Sequence, residues 1–362
     1  MKIRAERDDL ADVFDRANRG VSPRTTLPIL TGVLCEVAGS TLCVTGTDLE
    51  ITVRTNTEVD VIKEGRTLVP AKLAAAAIRK MPAGAVTLSS SDGELEILGA
   101  GPKFTVRELP VDEFPQLPEV DQTKAVEVNG DSLAAAIAQV TIAAATDAAR
   151  PILTAVLIEN DDDGLRLVAT DSYRLSMRKL KGISLPTTGL VPARGLRELV
   201  RTVGASKVSV SIPDREAVFA SDRGLLTLRL IEGVFPNYRQ LLPSSYPNQV
   251  IVKKEALMDA LGRAALVAED HIPVRLRVTE NGIEITATRQ DVGGETEQIN
   301  GAFTGEDNEV TIAFNPKYLM DGIAAMGVED IEIQMIDGLK PSVIRGVGDE
   351  DFLYLLMPVR VA

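Results

Sequence analysis

The chain has 362 residues, is 45% hydrophobic and carries 39 Lys and Arg against 52 Asp and Glu, a formal net charge of −13. It holds one histidine, two cysteines and no tryptophan, and no apolar run approaches the roughly 18 residues of a membrane helix. These numbers exclude a disulfide framework, leave His271 without partners for a Ser-His-Asp or Cys-His set, and supply no zinc site.

In chain order, residues 1–4 predict a strand. Residues 8–18 predict a helix, because Leu10, Val13, Phe14 and Ala17 recur at i, i+3, i+4 and i+7. No basic-then-apolar leader stands at residues 1–10, so no secretion signal is expected. Strand-like runs follow at 29–37, 41–46 and 49–55. The order then repeats, with a strand at 65–69, a helix at 71–81 and strands at 85–89, 94–98 and 104–108. Gly-containing turns at 38–40, 91–93 and 99–102 separate them. Cys35 and Cys43 fall in neighbouring strand runs and read as small buried apolar residues of a reducing cytoplasm.

The rest of the chain says the same thing twice more. A Thr-bearing strand end places Thr47, Thr170 and Thr288 at steps of 123 and 118. A strand-to-helix junction places Lys72, Arg194 and Lys317 at steps of 122 and 123. The phrase Glu113-Phe114-Pro115-Gln116-Leu117 returns as Val234-Phe235-Pro236-Asn237-Tyr238, a step of 121. A period of this size is a domain, since solenoid units run to about 20–50 residues. Three domains follow, 1–121, 122–246 and 247–362, with Pro-containing linkers at 115–124 and 243–248. Each is two copies of strand–helix–strand–strand–strand, with its helices on one face of mostly antiparallel sheet, an α+β design.

An acidic chain argues against a nucleic-acid partner if its charge is spread evenly, but not if the cations gather on one surface. In the helix beginning near residue 193, Arg194, Arg197 and Arg201 fall within about 60° of one another at 100° per residue. Leu196, Leu199, Val200 and Val203 lie opposite. The equivalent helix of the first repeat puts Lys72 and Arg79 together, opposite Ile78 and Met81. In the third repeat Lys317 shares its face with Asp321. The first helix of the middle repeat, predicted over 131–149, is Ala-rich and nearly uncharged. One such stripe is an ordinary solvated face; its recurrence on equivalent helices fits a polyanion held loosely. Asp161-Asp162-Asp163 before Gly164 reads as a solvated hairpin tip rather than a cation site. There is no G-x-x-x-x-G-K-[ST] loop and no G-x-G-x-x-G after a strand.

The triple repeat, together with Thr25-Thr26-Leu27-Pro28-Ile29-Leu30, Gly46-Thr47-Asp48-Leu49-Glu50, Ala169-Thr170-Asp171-Ser172-Tyr173-Arg174-Leu175, Phe235-Pro236-Asn237-Tyr238 and Met357-Pro358-Val359-Arg360, resembles the bacterial DNA polymerase III beta subunits, the sliding clamps, over the whole chain. The resemblance implies a cytoplasmic, nucleoid-associated, non-enzymatic protein with no cofactor and no membrane contact. It implies three tandem clamp-type domains and a head-to-tail homodimer ring, helices inside and sheets outside, that encircles duplex DNA and tethers the polymerase. Helices are about 10 Å wide, so six inner helices leave a hole on the order of 10 Å and twelve leave about 28 Å. A duplex is about 20 Å wide, which one chain cannot encircle and two can.

The resemblance also implies a pocket for short peptides of the polymerase III catalytic subunit, the clamp loader and other replication and repair proteins. Its walls would be Leu153, Thr170, Ser172, Tyr173, Arg174 and Leu175, with Pro236, Leu241, Leu355 and Met357. A neighbouring subsite would take Asn315, Tyr318, Ser342, Pro358, Val359 and Arg360. Leu175, Pro236, Leu355 and Met357 would receive an apolar peptide end, and Arg174 would orient the chain. Family members often carry Gly-His where Ser172-Tyr173 stand here, and often an arginine at Gln240. On the DNA side, Arg24 matches a pore-facing position, and Lys72 and Arg194 match the basic starts of inner helices. Two other readings are a scaffold that uses the pocket without encircling DNA, and a small-molecule enzyme, for which the sequence offers no clustered acid/base pair.

Overall fold

The computed structural model describes all residues except 23–24, 119, 121, 203–205, 214, 269–271 and 361–362, and the side chain of Val200. Arg24, Val203 and His271, singled out above, lie outside the described residues. The helices are α1 (Arg7–Ala17), α2 (Ala71–Arg79), α3 (Gly130–Thr141), α4 (Ala193–Thr202), α5 (Lys254–Ala268) and α6 (Pro316–Ala324). Among the described residues no helix is long and apolar enough to cross a membrane. The chain divides into two compact units, Met1–Ala134 with Ser184–Leu230, and Ala135–Ile183 with Ile231–Ala362.

The first unit holds two antiparallel sheets. One runs in the order Asp60–Lys63, Lys2–Glu6, Ala85–Ser91, Glu94–Leu98, Lys103–Arg107. The other runs Val126–Asn129, Lys207–Ser211, Glu216–Ser221, Gly224–Arg229, Ile51–Glu58, Thr41–Thr47, Gly32–Ala38, Gly65–Pro70. In α1 the predicted stripe Leu10, Val13, Phe14 and Ala17 is fully buried, and Asp8 and Asp9 in its first turn and Arg16 in its last complement the helix dipole. α1 packs on α2 and on the strands Thr41–Thr47 and Ile51–Glu58. In α4, Leu196 and Leu199 are buried and Arg194, Arg197 and Arg201 exposed, as the 100° spacing predicts.

The second unit repeats the plan. One sheet includes, in order, Ala155–Asp161, Gly164–Thr170, Arg174–Lys181, Phe352–Leu356, Ser342–Gly346, Asp330–Met335, Asn248–Lys253 and Gly301–Gly305. A four-stranded sheet runs Gly293–Ile299, Gly282–Arg289, Val274–Thr279, Glu309–Phe314. α5 packs on the strands Gly282–Arg289 and Gly293–Ile299, and against α6.

In each unit one sheet runs through a junction between repeats. In the first, Leu225–Leu228 of the second repeat pair antiparallel with Ile51–Arg54 of the first. In the second, Arg174–Arg178 of the second repeat pair antiparallel with Phe352–Leu356 of the third. The strands used are equivalent: the last strand of one repeat's first half meets the last strand of the next repeat's second half.

Several predicted bounds shift for local reasons. The helix predicted over 131–149 ends at Thr141. Ala143 N–H bonds Val140 O and Ala144 N–H bonds Thr141 O, tightening the end into i→i+3 turns. Beyond it Asp147 takes the Ala149 N–H at 2.9 Å, and Pro151 disfavours helix at Arg150. The strand predicted from 29 begins at Gly32, because Pro28 opens a 3₁₀ turn over Pro28–Thr31. The strand predicted from 49 begins at Ile51, because Leu49 has φ +74°. Two strands escaped the sequence pattern, Asp60–Lys63 against Lys2–Arg4 and Gly301–Gly305 against Asn248–Val252. They extend the first and third repeats alike. The acidic triplet does occupy a hairpin tip, Asp161 facing Gly164, with Asp161 paired to Arg166 and Lys179 and Asp163 to Lys179. Cys35 is buried and Cys43 half-buried, both as free thiols.

The Phe-Pro phrase of the second repeat is pinned through Tyr238, which is 2% exposed. Its hydroxyl donates to Glu159 Oε1 at 2.6 Å and accepts from Arg166 at 2.9 Å. Arg239 bonds the same Glu159 oxygen and lies 5.0 Å over the Tyr238 ring. Burial and the Glu159 bond push the phenol pKa up to about 12.

Two predictions follow from this packing. A Cβ on Gly46 would stand 2.1 Å from the Ala17 carbonyl oxygen at the end of α1. Gly46→Ala therefore costs about 1–3 kcal/mol of overpacking, read as a lowered thermal midpoint; an unchanged midpoint contradicts the close approach. For Tyr238, an unfolded phenol loses its proton near pH 10 and the folded one near about 12. Its stabilisation is complete below pH 10 and is lost as pH rises from 10 through 12. Tyr238→Phe should flatten the alkaline fall in stability by about 2 kcal/mol in denaturant titrations across that window. An equally steep fall in the variant means that this phenol does not drive it.

Candidate functional site

The repeated Thr phrase is a turn built by its own side chains. In the second repeat Thr170 Oγ1 donates to Arg174 O at 2.7 Å and accepts from Ser172 N–H at 3.2 Å. Asp171 Oδ1 accepts from the N–H groups of Tyr173 and Arg174 at 2.9 and 3.0 Å. Ser172 is held at φ +82°, a conformation that glycine reaches without strain. The first repeat builds the same turn: Thr47 Oγ1 donates to Ile51 O and accepts from Leu49 N–H, while Asp48 Oδ1 accepts from Glu50 and Ile51 N–H. The third repeat has Arg289 in place of the Asp, and its chain bends instead through Val292 N–H to Arg289 O.

Around the second turn, the second unit gathers most of the predicted pocket residues. Leu175 pairs in register with Leu355, and Leu355 with Val343. Leu175, Leu355, Leu353, Val343, Val168 and Tyr238 form one apolar cluster, with Leu241 and Met357 packed at its margin. Leu175 and Leu355 are 0% and 1% exposed. They lie beneath the margin residues as the buried floor of this cluster. The apolar groups that reach the margin include Phe235, Leu242 and Tyr246, which the sequence reading did not assign to the pocket. For Phe235 and Leu242 the signal was present in the apolar spacing of the phrase from Phe235 to Leu242. Leu153 is buried in the 3₁₀ turn Pro151–Thr154, whereas Pro236 is exposed.

Arg174 also sits lower than expected. Its Nε donates to Asp171 Oδ2 at 3.0 Å and its Nη1 to Asp321 Oδ2 at 2.8 Å. The guanidinium lies 4.2 Å over the Tyr318 ring. Burial disfavours the cation, but Tyr354, Asp321 and Asp171 outweigh it and hold the pKa above its ordinary value. With its Nε on Asp171 and its Nη1 on Asp321 and Tyr354, Arg174 is a strut that fixes the turn to α6 and to the strand Phe352–Leu356. Tyr173, 59% exposed, stands over this strut with its ring 6.5 Å from that of Tyr318.

The second group of predicted residues borders the first. Asn315 caps α6 by accepting from Tyr318 N–H at 3.0 Å. Ser342 faces Leu356 across the sheet and is fully buried, and its Oγ finds no hydrogen-bond partner among the described residues; nor does Tyr246 Oη. The tail is tied down by Met357 N–H to Tyr173 O at 2.9 Å and Val359 N–H to Ala313 O at 2.8 Å. Pro358 is half-buried, and Val359 and Arg360 are exposed. The result is an apolar floor, partly buried apolar side chains at the margin and two buried hydroxyls, a lining of the kind that ligand sites use.

The predicted cations among the described residues are exposed, and several hold carboxylates. Lys72 stands on the first turn of α2. Arg79 bonds Asp15 of α1. Arg194 bonds Asp48 at 2.9 Å and Glu50 at 3.1 Å, tying α4 to the Thr47-Asp48 turn. Arg201 lies 3.8 Å from Glu198, and Arg197 is exposed on the same side. In the third repeat Lys317 bonds Asp321 at 2.8 Å, the carboxylate that also holds Arg174.

Family models of the DNA polymerase III beta subunit match residues 1–118 (N-terminal domain), 127–237 (central domain) and 239–360 (C-terminal domain). The beta sliding clamp of Streptomyces coelicolor is 31% identical over 378 aligned residues, all of both chains. That of Synechocystis is 31% identical over 391, again all of both chains. The solved sliding clamp of Bacillus subtilis is 27% identical and superposes over all of both chains with a TM-score of 0.94. Three domain models in tandem and full-length relatives at this identity agree with the three-fold repeat and the duplicated α+β plan, and the chain belongs to the DNA polymerase III beta subunit family, the non-catalytic beta sliding clamps.

Proposed function

We propose that this chain serves DNA replication as a head-to-tail homodimeric ring of six domains, with boundaries at 1–121, 122–246 and 247–362. The ring encircles duplex DNA and holds the polymerase through short peptides. Its family implies DNA and a polymerase as partners; the ring, the clamp-loader and repair-protein contacts and the peptide groove are the finer reading.

The observation that carries the ring is the repeated joint. One chain of three repeats makes the same strand-to-strand junction twice and leaves its two halves unused. One is Lys103–Arg107, the last strand of the first repeat and a terminal strand of its sheet. The other is Gly293–Ile299, the third repeat's equivalent of Ile51–Glu58 and Arg174–Lys181, also terminal in its sheet. The two edges are complementary. The first carries Lys103, Arg107 and Phe104, which is 41% exposed. The second carries Glu295 and Glu297, and Glu295 Oε2 is buried without a hydrogen-bond partner among the described residues. A third joint of the same kind between copies is heterologous and closes after two chains.

Mass in solution tests the ring. Sedimentation should give about 78 kDa, twice the 38.8 kDa chain, and Lys103→Glu with Arg107→Glu should shift it to monomer. Monomeric wild type, or an unshifted variant, rules out this edge as the joint.

DNA is held by topology more than by affinity, because exposed cations already paired to carboxylates bind phosphate weakly. Protein loaded on nicked circles by a clamp loader should be lost once the circle is linearised. Retention on the linear product would mean that no ring surrounds the duplex.

For the groove, the partner class is a short peptide with a Gln and a Leu- or Phe-type end. The apolar end would sit over Leu175 and Leu355 against Met357, Leu241 and Pro236. The buried hydroxyls of Ser342 and Tyr246 and the backbone near Met357 would serve its polar groups. Arg174 acts here by holding Tyr173 and Tyr318 in place. Met357→Ala should weaken a labelled peptide by about 1–2 kcal/mol, as for a truncated anchor, and leave the dimer intact. Equal affinities would place the groove elsewhere.

A further inference from the structure

In the first unit a cavity of about 340 Å³ is lined by Asp15, Asn18, Arg19, Val21, Arg79 and Glu198. Its residues come from the ends of α1 and α2 and from α4. Its guanidinium groups are all engaged by acids. Arg79 bonds Asp15. Arg19 bonds Glu198 at 3.0 Å, and Arg201 approaches the other oxygen of Glu198 at 3.8 Å. Asn18 Oδ1 at the same site is buried without a partner among the described residues. Three guanidinium groups thus meet two carboxylates, in pairs whose side chains remain substantially exposed. Exposed pairs of this kind are weak and yield to a stronger anion, and guanidinium forks match phosphate oxygens.

We propose that this cavity seats a backbone phosphate of the encircled duplex, and that Asp15 and Glu198 are built-in competitors for its arginines. The proposal rests on the reading of this helix face as the DNA side. Each phosphate that enters must displace or share a carboxylate, so part of the attraction is spent before contact is made. A phosphate that leaves is replaced at once by an acid already in place. The site then lowers the depth of each stop along the backbone without lowering the number of cations. The net attraction per phosphate, which sets the salt dependence of binding, is tuned by these two acids.

The test uses the full-length protein and a short fluorescent duplex, titrated by anisotropy over a range of salt. Asp15→Asn with Glu198→Gln keeps shape and removes both charges. It should bind about threefold to tenfold more tightly at low salt, with a log–log salt slope steeper by about 1–2. Arg19→Ala with Arg79→Ala should bind more weakly, with a shallower slope. Circular dichroism and sedimentation on both variants establish that fold and assembly are kept. If the arginine variant weakens binding and the acid variant equals wild type, the competitor role is overturned and the DNA face stands. If neither pair moves the affinity, this face does not meet DNA and the proposal falls with it.

Discussion

Everything else in this protein depends on antiparallel pairing between strands of different repeats. Backbone N–H and C=O groups at the edge of a sheet must find partners, and here the edge of one repeat is satisfied by the edge of the next. The two halves of the second repeat are thereby drawn to different neighbours. That is why the chain divides into two compact units although its sequence has three periods. The domain as a unit of sequence and the unit of packing are different objects in this molecule.

The same economy appears in the Thr-Asp turn. A hydroxyl and a carboxylate close the turn onto their own backbone, which lets the chain leave one strand and enter the next with the intervening residue at positive φ. Having built it, the fold uses its outer residues differently in each repeat. In the first, Asp48 and Glu50 receive Arg194. In the second, Asp171 receives Arg174, and the turn holds Tyr173 beside Tyr318. In the third the Asp is absent.

The helices with clean periodicity were legible in the sequence: among the described residues α1, α2 and α4 bury those that a 3.6-residue period selects. The duplicated strand order was legible as well. The strands Asp60–Lys63 and Gly301–Gly305 were not, because what makes them strands is a distant partner edge rather than a local pattern. The site was half legible. Leu175 and Leu355 could be placed together but not assigned to the floor, since their burial depends on strands 180 residues apart meeting. The engagement of Arg174 depends on Asp321, and that of the helix-face arginines on Asp15, Asp48 and Glu198. A one-dimensional reading of charge has no access to pairs separated by so many residues.

The terminal strand Lys103–Arg107, paired on one side only, has a consequence for the behaviour of a single chain. A free edge is a template that any extended chain can copy, and proteins blunt such edges with shortness and charge. This one is five residues long and begins and ends on a cation, with Lys103 already bonded to Glu96, so a stray segment that docked there would have to cover that ion pair and Arg107. The same shortness and charge make the edge a poor nucleus for aggregation.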